Sequence, residues 1–170
     1  MERFFIQTAK GKRGAGIIME QGVLIQFKDV GVGAVLAFAA IGSALGAGVA
    51  GMAAVGAWKK AFAQNKTASF MLLAFVGAPL TQTIYGMIVM NKITEFAVKG
   101  SYFWGIGIFC GIAMGMSAYM QGKAGAVAAD ALGETEKGFG NYIVVLGIIE
   151  TVALFVMVFA LGLIDKLAGA

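Results

Sequence analysis

Glu150 is the one carboxylate inside a long apolar run, Asn141–Ile164. A charged group near the centre of a bilayer costs about 2.5–3.5 kcal/mol on insertion scales, so an isolated acid there points to ion or proton movement. The residues that could join it are polar breaks in other apolar runs. Ala78, Thr81, Gln82 and Tyr85 stand at i, i+3, i+4 and i+7, which places them on one helix face. Pro79, beside them, lacks an amide hydrogen and disturbs the turn before it, leaving backbone carbonyls free to face a ligand. Gln121 adds a second amide within Tyr119–Lys123. A single carboxylate among hydroxyl, amide and carbonyl oxygens suits a small hard cation, because those ligands replace its water while one negative charge neutralises it. Na+ fits this set. Any one of Thr81, Gln82 and Gln121 could equally be polar glue between helices. Several converging on the only intramembrane acid are less well explained that way.

Other chemistries lack their residues. Cys110 is the single cysteine and there is no histidine, so one chain assembles neither a disulfide framework nor a Cys/His metal site. Cys110 reads as a small apolar packing residue. Gly46-Ala-Gly48-Val-Ala-Gly51 satisfies the dinucleotide pattern GxGxxG, but it falls inside an apolar helix and no acid follows at about 20 residues. A P-loop sequence is also absent, so the chain is not expected to hydrolyse nucleotide itself. The net charge of +4 is small and its basic residues flank the apolar runs, which suits membrane edges and not nucleic acid.

The elements that must position these side chains follow from composition. With 59% hydrophobic residues, 13% charged residues and a mean hydropathy of +0.85, the chain reads as an integral, multi-pass membrane protein. Apolar stretches long enough to span recur at Val30–Trp58, Ala68–Met90, Tyr102–Ala129 and Asn141–Ile164, predicting four transmembrane helices. Continuous runs of this kind exclude a β-barrel of short alternating strands. If the last loop turns near Asp130 to Asn141, Gln121 lies nine residues before it and Glu150 nine after it. At about 1.5 Å per residue both then sit roughly 14 Å from that loop, where amide and carboxylate can meet. Helix two enters from the same side as helix four, and the register of an internal repeat, shifted for the shorter second loop, brings Gln82 opposite Glu150.

The chain also repeats. Ser43–Ala57 set against Ser117–Ala131 aligns serine, alanine and glycine positions in register, and Gly31 and Gly33 match Gly105 and Gly107 at the same offset. Two fused helical hairpins are therefore expected, 29–98 and 99–170, after an N-terminal extension, 1–28, of unassigned role. That extension carries Arg3, Lys10, Lys12 and Arg13, and its apolar stretches are too short for a cleaved signal peptide. Helices one and three hold Gly42-x-x-x-Gly46, Gly107-x-x-x-Gly111 and Gly111-x-x-x-Gly115. Small residues spaced by four let backbones approach closely in lipid, as on the inner wall of a ring or in ordinary pairwise packing.

At this point the chain resembles the c/K proteolipid of V-type (V/A-type) rotary ATPases, in particular the bacterial sodium-translocating form. The resemblance runs from about Phe27 to the C-terminus. It rests on the duplicated hairpin, the Pro-x-Thr-Gln-x-x-Tyr-Gly pattern at Pro79–Gly86, Gln-Gly-Lys at Gln121–Lys123 and Glu-Thr at Glu150–Thr151. Carried over residue by residue, it implies that Na+ is held by the Ala78 carbonyl, Thr81, Gln82, Gln121 and Glu150, with Tyr85 hydrogen-bonding the carboxylate. Ala78 stands where a familiar member has leucine. The resemblance further implies a ring of identical subunits in a bacterial inner membrane, turning against a stator protein with an essential arginine. Loops one–two and three–four would dock on a central stalk, catalysis would occur elsewhere, and H+ is the alternative cargo.

The family places both termini outside, whereas the Lys and Arg of the N-terminal segment favour the opposite topology by the positive-inside rule. The shared face of two parallel hairpins argues for the family's orientation. A different class also carries one intramembrane glutamate: the small four-helix proton-coupled exporter. Its acid is expected in the first helix and its chain is not a duplicated hairpin. A plain channel would not need the Thr81, Gln82 and Gln121 set.

Overall fold

The computed structural model describes the backbone of residues 2–100 and 103–169, and side chains from Val30 onward within those ranges. The described elements are all helical: α1 (Glu2–Ala63), α2 (Leu72–Gly77), a 3-10 turn (Ala78–Leu80), α3 (Thr81–Ala97), α4 (Trp104–Thr135) and α5 (Phe139–Ala168). The side chains of the N-terminal extension lie outside the described residues.

Among the described residues three helical stretches are long and apolar enough to cross a membrane: Val30–Ala63, Leu72–Ala97 and Phe139–Ala168. The fourth expected span, α4, is 32 residues long, but its glycines, Ser117, Gln121, Lys123 and Asp130 dilute its apolar character. It nevertheless lies alongside α1. A Cβ on Gly107 would meet the Gly31 backbone, one on Gly42 the Gly115 backbone, and one on Gly122 the Gly46 backbone. Positions rise together along both helices, so α1 and α4 are parallel and packed in nearly the register of the internal repeat.

The other helices flank this pair. Gly86 faces Ala39 and Gly46 faces Pro79, which makes α3 antiparallel to α1. Ser117 reaches the Ile149 carbonyl and Gln121 the Leu146 carbonyl, which makes α5 antiparallel to α4. Between α4 and α5 the connection is only Glu136–Gly138, far tighter than the turn expected from Asp130 to Asn141. Glu136 and Gly138 both take left-handed backbone angles, with φ of 57° and 87°, and the Glu136 amide caps the Leu132 carbonyl at 2.9 Å. At this loop end Lys60 pairs with Glu134, and Lys66 with Glu136 at 3.8 Å. Both pairs are exposed and contribute little to stability.

Two apolar clusters stabilise the bundle. One gathers Val35, Ala39, Val89, Ile93, Met114, Ala153, Ala160 and Ile164; the other gathers Ala54, Ala57, Leu72, Phe75, Ala128, Ala129, Leu132 and Leu146. On each of the four long rods, α1, α2 to α3 taken through the 3-10 turn, α4 and α5, a polar side chain lies between the two clusters: Ser43, Gln82, Gln121 and Glu150. Helix α5 buries only a narrow stripe, Leu146, Ala153, Ala160 and Ile164, and leaves Val144, Ile148, Phe155 and Phe159 exposed. Such a broad uncovered apolar face suits contact with lipid tails.

Candidate ion-binding site

Pro79 sets the geometry of the first side of the site. Without its amide hydrogen the helix cannot run through, so α2 ends at Gly77, the chain tightens into the 3-10 turn, and α3 starts afresh at Thr81. Thr81 Oγ1 lies 3.1 Å from the Ala78 carbonyl oxygen and 3.2 Å from Gln82 Oε1. One hydroxyl hydrogen cannot serve both acceptors at once. The Thr81 oxygen thus stands between two other oxygens.

From there a ladder of amides crosses the bundle. Gln82 Nε2 donates to Gln121 Oε1 at 2.7 Å, and Gln121 Nε2 donates to the Leu146 carbonyl at 3.0 Å and to Glu150 Oε2 at 3.3 Å. Tyr85 closes the other side, its hydroxyl donating to Glu150 Oε1 at 2.8 Å. The orientation of both amides is fixed by this chain of partners. Gln121 has two acceptors beside its nitrogen, so its oxygen must face Gln82, and Gln82 must answer with its own nitrogen.

The environment makes these bonds count. Gln82 and Gln121 are fully buried, Glu150 is half-buried, and apolar clusters lie toward both helix ends. In such surroundings a severed hydrogen bond leaves an unsolvated group, at a cost of about 1–3 kcal/mol. Among the described residues Glu150 makes no ion pair; the inter-helix pair nearest in sequence is Lys92 with Asp165 at 2.7 Å, toward the far ends of α3 and α5. No base among the described residues accounts for the acid.

The structure brings Ala78, Thr81, Gln82, Tyr85, Gln121 and Glu150 into one connected network. Two details differ from the sequence reading. Gln82 stands against Gln121 and reaches Glu150 only through it. Gln121 faces the carboxylate as a hydrogen-bond donor, not with an oxygen beside it. Gly42, Gly46, Gly107, Gly111 and Gly115 are buried against the chain's own helices, so close packing within one chain accounts for them. The sequence reading passes over Ser117, whose hydroxyl donates to the Ile149 carbonyl at 2.9 Å, next to Glu150. The repeat aligns Ser43 with Ser117, and that alignment is the signal that points to it. Lys92 and Asp165, which join α3 to α5, also escape the sequence reading.

Comparison with known proteins bears on this arrangement. Residues 104–163, which hold Gln121 and Glu150, match the C-subunit family of ATP synthase. The chain is 30% identical over 138 residues to the A-type ATP synthase subunit K of Methanocaldococcus jannaschii, covering 79% of this chain. It spans 60% of the length of that relative.

Proposed function

We propose that this chain is a c/K-type proteolipid of a V/A-type rotary ATPase, a rotor subunit in which Glu150 carries a cation through the membrane. The observation that carries this reading is the single intramembrane carboxylate held by Tyr85 and Gln121 from two other helices. The match of residues 104–163 to the ATP synthase C-subunit family and the likeness to an archaeal K subunit support it. In this reading all four long rods cross the membrane, since α4 shares the slab of its neighbour α1. The chain performs no catalysis itself. Copies of it form a ring, a stator protein supplies an arginine to the emptied carboxylate, and a central stalk docks at the loop end.

The physics of such a rotor lies in charge. An occupied site is close to neutral and crosses a lipid-facing sector cheaply, whereas a bare Glu150 carboxylate is costly there. That asymmetry ties ion passage to rotation.

Na+ is the cargo we favour. Thr81 Oγ1 lies within hydrogen-bond reach of both the Ala78 carbonyl oxygen and Gln82 Oε1, and Gln121 links Gln82 to a carboxylate that supplies one charge. Turning the Gln121 amide would add a further oxygen. H+ is the second reading, since a site that carries a proton needs little beyond the Glu150 carboxyl group. Carbodiimide labelling separates the two, because it attacks protonated carboxyl groups. With Na+ as cargo, saturating Na+ protects Glu150 at neutral pH; equal labelling with and without Na+ at several pH values identifies the cargo as H+.

A further inference from the structure

Ser43 Oγ is a buried side-chain polar atom for which the described residues provide no hydrogen-bond partner. Ser43 is 2% exposed. Its repeat mate Ser117 is also enclosed but donates to the Ile149 carbonyl. An unpartnered buried hydroxyl is unfavourable, so its presence calls for a state in which it is used.

Its neighbours are set by register. On α1, Ala39, Ser43 and Gly46 follow one another at i, i+4 and i+7 and share a face. Ala39 faces Gly86, where a Cβ would come 2.8 Å away, and Gly46 faces Pro79, where a Cβ would stand at 3.0 Å. Halfway between these two contacts the antiparallel helices set Ser43 against the Gln82 level of α3. Gln82 is fully buried there and carries two amide hydrogens, of which one is accounted for by Gln121. Ser43 also completes a pattern: in the stretch between the two apolar clusters each rod carries a polar residue, Ser43 on α1, Gln82 on α3, Gln121 on α4 and Glu150 on α5.

We infer that Ser43 is a positioning residue of the ion site, whose hydroxyl oxygen accepts the Gln82 amide when Gln121 releases it. The inference rests on the ion-carrying reading of Glu150. For Gln121 to offer its oxygen to an ion, its amide must turn, and Gln82 Nε2 then loses its acceptor. Ser43 receives it, so Gln82 keeps its own oxygen directed at Thr81 and the Ala78 carbonyl instead of being left with an unsolvated amide. With Gln82 bonded to Gln121, Ser43 is idle; with the Gln121 amide turned, Ser43 is used.

The test compares wild-type protein and Ser43→Ala, both purified as the native assembly, by two measurements. In the absence of Na+, Ser43→Ala melts at the same temperature as wild type or higher, because it removes an unpartnered hydroxyl. The Na+ concentration that half-protects Glu150 from carbodiimide rises roughly threefold to tenfold, the range expected for one net hydrogen bond. Stabilisation by added Na+ shrinks accordingly. A half-protecting concentration equal to wild type overturns the role of Ser43 while leaving Glu150 as the ion carrier. A lowered ion-free melting temperature with unchanged protection makes Ser43 a packing residue and overturns the role as well. Absence of Na+ protection in the wild type itself overturns both the Na+ reading and this one.

Discussion

Gln121 meets Glu150 with its amide nitrogen, which lies 3.3 Å from Oε2 and 3.0 Å from the Leu146 carbonyl. The terminal torsion of a glutamine side chain is broad and roughly two-fold, so oxygen and nitrogen exchange places by a local turn. Such a turn sacrifices both acceptors on α5 and the donor from Gln82. A cation that supplies positive charge at that point replaces what the carboxylate loses. On the ion-carrying reading proposed for Glu150, capture starts with this turn of the Gln121 side chain.

Removal of the charge is the sharpest probe of function. Glu150→Gln keeps the volume and offers an oxygen or a nitrogen to Tyr85 and Gln121, so the protein should insert and assemble as wild type does. Ion-driven turnover should fall to background, because a neutral amide neither attracts a cation nor releases one to a stator arginine. Transport measured in sealed vesicles decides it, and turnover surviving in Glu150→Gln would remove this residue from the role.

The amide ladder should show itself as coupling between its members. Gln82→Met strands the Gln121 oxygen, and Gln121→Met strands the Leu146 carbonyl and leaves the Gln82 nitrogen to Ser43, so each single change should lower stability by about 1–3 kcal/mol. In the double variant neither group is left, and the total should be close to that of one single variant. Melting of all four proteins in detergent gives the coupling energy, expected at about 1–3 kcal/mol. Additive losses would mean that the 2.7 Å contact does not hold the pair together.

Much of this arrangement is legible in the sequence because it follows from periodicity. The apolar runs locate the four rods, the i, i+3, i+4, i+7 spacing puts Ala78 to Tyr85 on one face, and equal distance from a loop brings Gln121 to Glu150. The expected loop is longer than Glu136–Gly138, yet its centre is nearly right, so the depth argument survives the error. What periodicity cannot carry is direction. Nothing in the residue order says which end of the Gln121 amide faces the acid, since that depends on the Leu146 carbonyl, a backbone atom of another helix. Gly42 and Gly115 are visible as close-packing residues, but a spacing of four does not say whether the neighbouring helix belongs to the same chain.

Tyr85 and Glu150 differ in what their loss should do. Tyr85→Phe keeps the ring between α3 and α5 and deletes only the hydroxyl that donates to Oε1 at 2.8 Å. The carboxylate stays, so turnover should continue at a reduced level, and more salt should be needed to reach half of the maximal rate. A rate profile against Na+ concentration identical to wild type would show that the phenol does not position the acid.

The glycines give a contrast between folding and assembly. A side chain at Gly42 or Gly115 runs into the backbone of the partner helix, Gly115 in the first case and Phe38 in the second. Backbone cannot step aside as a flexible side chain does, so Gly42→Leu and Gly115→Leu should separate α1 from α4 and abolish the folded monomer. Overpacking of this sort costs at least about 1–3 kcal/mol. Gly33 and Gly48 lie on the same helix α1 but have nothing within 4 Å of an added Cβ. Gly33→Leu and Gly48→Leu should therefore leave the single chain folded, with normal helix content and normal insertion. If copies of the chain stand side by side in a ring, that open small-residue face is where a neighbouring helix can come close, and the same two variants should weaken the assembled ring. Native gels and helix content measured together distinguish the cases. Rings of normal size and stability in both Gly33→Leu and Gly48→Leu would mean that this face of α1 meets lipid and not another copy.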